Sequence, residues 1–154
     1  MFKVMLISFT AIVICFGIMD AIWLGLVADE LYQREMHGFL RNQYPVWPWV
    51  SFYLIYSFSI LILAVQPSFR ALSQETNVCS RELLNVALRG SVLGLAAYGA
   101  YNLTNYAILE NWSLNISLID WMWGCFITTC SAMAAGLAVS AVGRRDKRND
   151  SMNN

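Results

Sequence analysis

Leu118-Ile119-Asp120-Trp121-Met122-Trp123-Gly124 sets a carboxylate and two tryptophans inside an apolar run extending from about Ser113 to Val142. An ionisable side chain in the middle of a membrane-length segment costs roughly 2.5–3.5 kcal/mol on insertion scales, so by default it marks a site. The lipid reading rests on composition as well as on this run. The chain has 154 residues, of which 58% are hydrophobic and 13% charged, and its mean hydropathy is +0.50. A soluble domain would carry about 25% charged residues. Ten basic and ten acidic residues leave no net charge, which gives no reason to expect a nucleic-acid partner.

A spanning helix takes about 20 predominantly apolar residues. Four windows meet that requirement: about Val4 to Val27, Trp47 to Gln66, Leu84 to Leu109 and Ser113 to Val142. Pro67 reads as the stop of the second. The first begins like a signal peptide but is too long for one, contains Asp20 and lacks a small-residue cleavage site, so it reads as an uncleaved span. No strand-type alternation competes. The expected fold is all-α: a four-helix transmembrane bundle occupying residues 1–143, followed by a disordered basic tail over 144–154.

Between the first two spans, Ala28 to Val46 is long enough for structure of its own. Tyr32, Met36, Phe39 and Leu40 recur at helical spacing among Asp29, Glu30, Arg34 and Glu35, which predicts a short amphipathic helix on the membrane surface. His37 lies here, and metal ligation with Glu30 or Glu35 is weaker than its reading as a solvated loop residue. Cys15, Cys79, Cys125 and Cys130 show neither CxxC nor metal-ligand spacing and read as small hydrophobes. No metal site is expected.

Basic residues set orientation. With four spans the termini share a side with the loop between the second and third. That side carries Lys3, Arg70, Arg81, Arg89, Arg144, Arg145, Lys147 and Arg148, against Arg34 and Arg41 opposite. Both termini are therefore expected in the cytoplasm.

Depth follows from antiparallel counting at about 1.5 Å per residue. Asp20 lies about seven residues before the outer end of the first span and Asp120 about as far past the outer start of the fourth, so both sit roughly 10 Å below the outer surface. Tyr53, Tyr56, Tyr101, Asn102 and Asn105 fall in the same zone. Facing agrees. Ser113, Ser117, Asp120, Gly124, Thr128, Ser131 and Ala135 form one stripe; Ser91, Gly94, Tyr98, Asn102 and Asn105 form another; Gly17, Asp20 and Trp23 a third. Polar stripes in lipid turn inward, because unsatisfied groups there cost several kcal/mol.

All six tryptophans and all seven tyrosines lie between the membrane middle and the outer side. An interfacial belt accounts for Trp47, Trp49 and Trp112, but not for the deeper Tyr98, Tyr101 and Trp123. The expectation is an outward-facing pocket lined by Trp23, Tyr53, Tyr56, Tyr98, Tyr101, Asn102, Asn105 and Trp123, with Asp20 and Asp120 as its ionisable groups. The alternative is a satisfied polar core without a ligand. Toward the inner side, Gly90-xxx-Gly94 and Ala132-xxx-Gly136-xxx-Ser140 permit close helix approach, either as the floor of that pocket or as a homodimer interface. Both uses stay open.

The runs Asp20-Ala-Ile-Trp23-Leu-Gly25, Tyr98-Gly-Ala-Tyr101-Asn102-Leu-Thr104-Asn105 and Asp120-Trp-Met-Trp123-Gly124 resemble a bacterial membrane family catalogued as domain of unknown function 2177. The likeness extends to about Val142, with the motifs in the family's order. It implies a multi-pass protein of the bacterial inner membrane and no established activity. The chain departs from the family's pattern at Asn102, where members often carry Asp.

Three functions fit these residues. A small-molecule carrier or binder would use the two carboxylates to hold or exchange protons as an interacting pair. Its aromatic walls would accept a hydrophobic, amphipathic or cationic molecule. A membrane enzyme acting on a lipid or isoprenoid-like substrate would use Asp20 and Asp120 as general acid and base. A non-catalytic assembly or lipid- or pigment-binding subunit would use them to specify helix pairing, at only about 0.6 kcal/mol per interhelical bond. The first ranks narrowly above the second. Cofactor, substrate, coupling ion and oligomeric state are not specified by the sequence.

Overall fold

A computed structural model of the chain describes residues 2–28, 31, 34, 43–74 and 81–153. Among them there is no strand, and four helical stretches are long and apolar enough to cross a membrane: Phe2–Leu26, Val46–Gln74, Arg81–Ile108 and Leu114–Asn149. The elements are α1 (Phe2–Trp23), α2 (Val46–Ile60), α3 (Phe69–Gln74), α4 (Arg81–Ile108) and α5 (Leu114–Asn153). The amphipathic helix expected between the first two spans, with His37, Glu30 and Glu35, lies outside the described residues, as does Cys79.

Large apolar side chains sit on the outside of the bundle and small or polar ones inside. Leu6, Ile14, Ile18 and Ile22 on α1 are more than half exposed, as are Ile55 and Phe58 on α2 and Met122 and Phe126 on α5. Such a surface is tolerated in lipid, where it costs nothing, and not in water. The interior holds Ile12, Phe16, Ile60, Ala64, Val86, Ile127, Ala132, Ala135 and Val139. Several buried hydroxyls bond back to their own helices: Ser8 to the Val4 carbonyl at 2.8 Å, Thr128 to Gly124 at 2.6 Å and Ser140 to Gly136 at 3.1 Å. That satisfies them where no water would.

The most extensive contact is between α4 and α5, and glycine is what permits it. A methyl group on Gly94 would stand 2.7 Å from the Gly124 carbonyl oxygen and 2.8 Å from Cys125 Cα; one on Gly90 would stand 3.0 Å from Ala132 Cβ. The small-residue patterns in these two helices are thus used within one chain. The turn joining them places Asn111 at φ 56°, a left-handed conformation that Asn tolerates better than most residues. Ser113 then accepts the Ile116 N–H at 3.4 Å as α5 begins.

Two helix ends differ from expectation. Pro67 does not stop the second span. A wide turn over Leu61–Val65, closed by Gln66 N–H on the Leu61 carbonyl five residues back, leads into a tight 3₁₀ turn at Gln66–Ser68 and on into α3. Proline sits early in that turn, where its missing N–H leaves no gap in the ladder. The basic segment read as a disordered tail continues α5 as helix to Asn153. Gly143 lies against the Ser73 backbone, and Lys147 Nζ donates to the Gln74 carbonyl at 2.9 Å. These α3 contacts, invisible to a hydropathy window, hold the segment.

Candidate functional site

On α1 the buried residues are Ser8, Ile12, Phe16 and Asp20, one stripe at four-residue steps. Asp20 therefore ends an otherwise packed seam and points into the bundle at 8% exposure. Its two oxygens are held by two other helices. Tyr53 of α2 donates its hydroxyl to Oδ2 at 2.5 Å, and Trp123 of α5 donates Nε1–H to Oδ1 at 3.4 Å. A phenol on a carboxylate at that separation has the length of a charge-assisted bond. The Trp123 indole in turn stacks on Trp23, with centroids 4.6 Å apart and planes 12° from parallel.

The second carboxylate is built from the facing pair α4 and α5. Asn102, 1% exposed, donates Nδ2–H to Asp120 Oδ2 at 2.7 Å and to the Tyr98 carbonyl at 3.0 Å. Chemistry sets this orientation, because a carboxylate only accepts and the amide nitrogen must face it. Two buried polar atoms in the layer have no partner among the described residues: Asn102 Oδ1 and Trp23 Nε1.

Tyr98 joins the two halves. Its phenol lies within electrostatic reach of Asp20, Asp120, Tyr53 and Tyr56. Its ring fills the space a side chain at position 124 would take, so that a methyl group on Gly124 would fall inside it. Tyr56 meets the same ring edge-on at 5.9 Å and shares a 2.9 Å hydrogen bond with Thr128. Phe16 forms the floor, its ring 5.8 Å from Tyr53 and 5.6 Å from Tyr56 in edge contacts.

Of the sequence candidates, Asp20, Trp23, Tyr53, Tyr56, Tyr98, Asn102, Asp120 and Trp123 come together at one depth. Tyr101 and Asn105 stand apart from them. Tyr101 is 56% exposed and packs edge-on against Trp112 at 6.0 Å, although its phenol is within reach of Asp120. Asn105 is half-buried a turn further along α4. Three residues of the layer were not foreseen as part of it: Phe16, Thr128 and Trp121. Phe16 could have been found four residues before Asp20 on the same face, and Thr128 on the same stripe as Asp120. Trp121 bonds the Leu95 carbonyl at 2.8 Å, and its indole covers Gly99. Only the fit between α4 and α5 reveals that.

Chemically, the layer offers two carboxylates, Asp20 bonded by Tyr53 and Trp123 and Asp120 by Asn102, an aromatic wall on four helices, and, among the described residues, one acceptor and one donor without a partner. Such a site can take a cation through charge and ring faces, and can hold a proton on either carboxylate. No curated protein and no solved structure matches the chain. The model of the family described as Predicted membrane protein (DUF2177) matches residues 5–137, which include every residue of this layer. The chain is an integral membrane protein and belongs to that family.

Proposed function

We propose that this protein is a small-molecule carrier or binder, proton-linked through Asp20 and Asp120, whose ligand enters from the aromatic end of the bundle. The supporting observation is the pair of unsatisfied buried atoms, Trp23 Nε1 and Asn102 Oδ1, beside carboxylates already bonded to other helices. Buried polar groups are nearly always paired in folded proteins. A purely structural layer would satisfy its own donors and acceptors, whereas a binding site keeps some for its ligand. The matching ligand is small, with an apolar or cationic body for the rings, an acceptor for Trp23 and a donor for Asn102. The surplus of basic residues at the opposite end supports a cytoplasmic location for both termini, and so an inner-membrane protein with its site toward the outside.

The test is native mass spectrometry of protein released from mild detergent, comparing the unsubstituted chain with Asp20→Asn and Asp120→Asn at matched thermal stability. A small organic adduct carried by the former and lost from both variants is the expected result. Identical adduct spectra for all three would sink the site. An adduct that returns chemically altered after incubation would convert the reading to a membrane enzyme using the same carboxylates as acid and base.

A further inference from the structure

At the basic end, away from the carboxylate layer, a recess of about 300 Å³ lies between α1 and α3, lined by Val4, Phe69, Arg70, Ser73 and Gln74. Its volume is at the lower end of the range for small-molecule sites, roughly 300–1,000 Å³. Its composition is divided. Val4 and Phe69 are apolar, half-buried and packed against the core, while Arg70 and Gln74 are exposed.

Basic side chains gather around it. Arg70 is on the rim, and Lys147 is fixed there by its bond to the Gln74 carbonyl at 2.9 Å. Gly143 rests on Ser73, and Arg144 follows it on α5, half-buried. Arg144 is the informative one. Its Nη1 is buried and has no hydrogen-bond partner among the described residues. A buried guanidinium nitrogen left unpaired is costly, and planar bidentate donors of this kind match phosphate oxygens.

We propose that this recess binds the headgroup of an anionic phospholipid, with the phosphodiester between Arg70, Arg144 and Lys147 and the acyl chains lying along Val4 and Phe69. The apolar wall of Val4 and Phe69 beside the basic rim suits a lipid rather than a soluble phosphate. Basic pockets between spans at this depth are established headgroup sites in membrane proteins generally. The site is independent of the carboxylate layer and of any ligand there.

The full-length protein in mild detergent, titrated with phosphatidylglycerol or phosphatidylcholine and read by native mass spectrometry, tests this. Phosphatidylglycerol should be retained at least tenfold better. Arg70→Gln and Arg144→Gln should each cut that preference about fivefold, as expected for roughly 1 kcal/mol per basic residue. Arg34→Gln, at the other end of the bundle, should leave it unchanged. Arg70 is exposed, so its variant carries the test even if Arg144→Gln fails to fold. Equal retention of the two lipids, or an undiminished preference in Arg70→Gln, overturns the proposal. Displacement of phosphatidylglycerol by millimolar inorganic phosphate at constant ionic strength also overturns it, since the occupant would then be a soluble anion.

Discussion

The two ends of the bundle interior differ in what meets at the centre. Toward the basic end, Gly90, Gly94, Ala132 and Ala135 let backbones meet, and the hydroxyls of Thr129 and Ser140 bond their own helices. Toward the aromatic end rings fill the interior, and polar groups bond across the bundle: Tyr53 to Asp20, Trp123 to Asp20, Asn102 to Asp120. In lipid there is no hydrophobic gain from bringing helices together, so association rests on dispersion and directed bonds. The glycine half supplies the first. The ringed half spends stability on groups that are costly in a membrane, which is reasonable only where stability is not the object.

That contrast breaks most visibly at Gly94. Gly94→Val should destabilise the protein by about 3 kcal/mol, the upper range for overpacking, because the obstructing atoms are backbone and cannot turn aside. Thermal unfolding in detergent reads this, with lipid-facing Val92→Leu as the neutral reference; equal loss in the two would mean that close packing is not the anchor. In the ringed half, a double-mutant cycle of Asp20→Asn with Tyr53→Phe should give a coupling of about 2 kcal/mol, within the range for hydrogen bonds to a charged group. A coupling near zero would show that the phenol and carboxylate do not depend on each other.

Asn102→Asp sharpens the contrast differently. It replaces a neutral donor 2.7 Å from Asp120 with a second carboxylate, and two such groups cannot both ionise at that distance. The variant should be least stable in mildly alkaline buffer and gain stability as the solution is acidified and one proton is shared. A difference from the unsubstituted chain that stays constant with pH would argue against that contact. The smallest effect is expected for Tyr56→Phe, which removes the bond to Thr128. It should cost about 0.6 kcal/mol, since Thr128 still bonds Gly124; a loss several times larger would make Tyr56 part of the anchor instead.

The four spans and the shared depth of Asp20 and Asp120 were legible in the sequence, because run length and antiparallel counting need no side-chain detail. Tyr53 and Trp123 could be placed at that depth, but not on Asp20, since helix rotation is set by packing. The same limit explains Tyr101. It lies three residues from Tyr98 and one from Asn102, and only the actual rotation of α4 turns it outward. The extension of α5 was hidden because a hydropathy window ends where charge begins. Contacts such as Gly143 on Ser73 and Lys147 on Gln74 carry the helix further.

The stacked pair of Trp23 and Trp123, 4.6 Å between centroids and 12° from parallel, joins α1 to α5 directly over Asp20. Two indoles in that arrangement couple their electronic transitions, so the pair is a built-in optical reporter. Near-ultraviolet circular dichroism should contain a signed couplet that vanishes in Trp23→Phe. Its amplitude will follow any motion that separates the two helices, with no label attached.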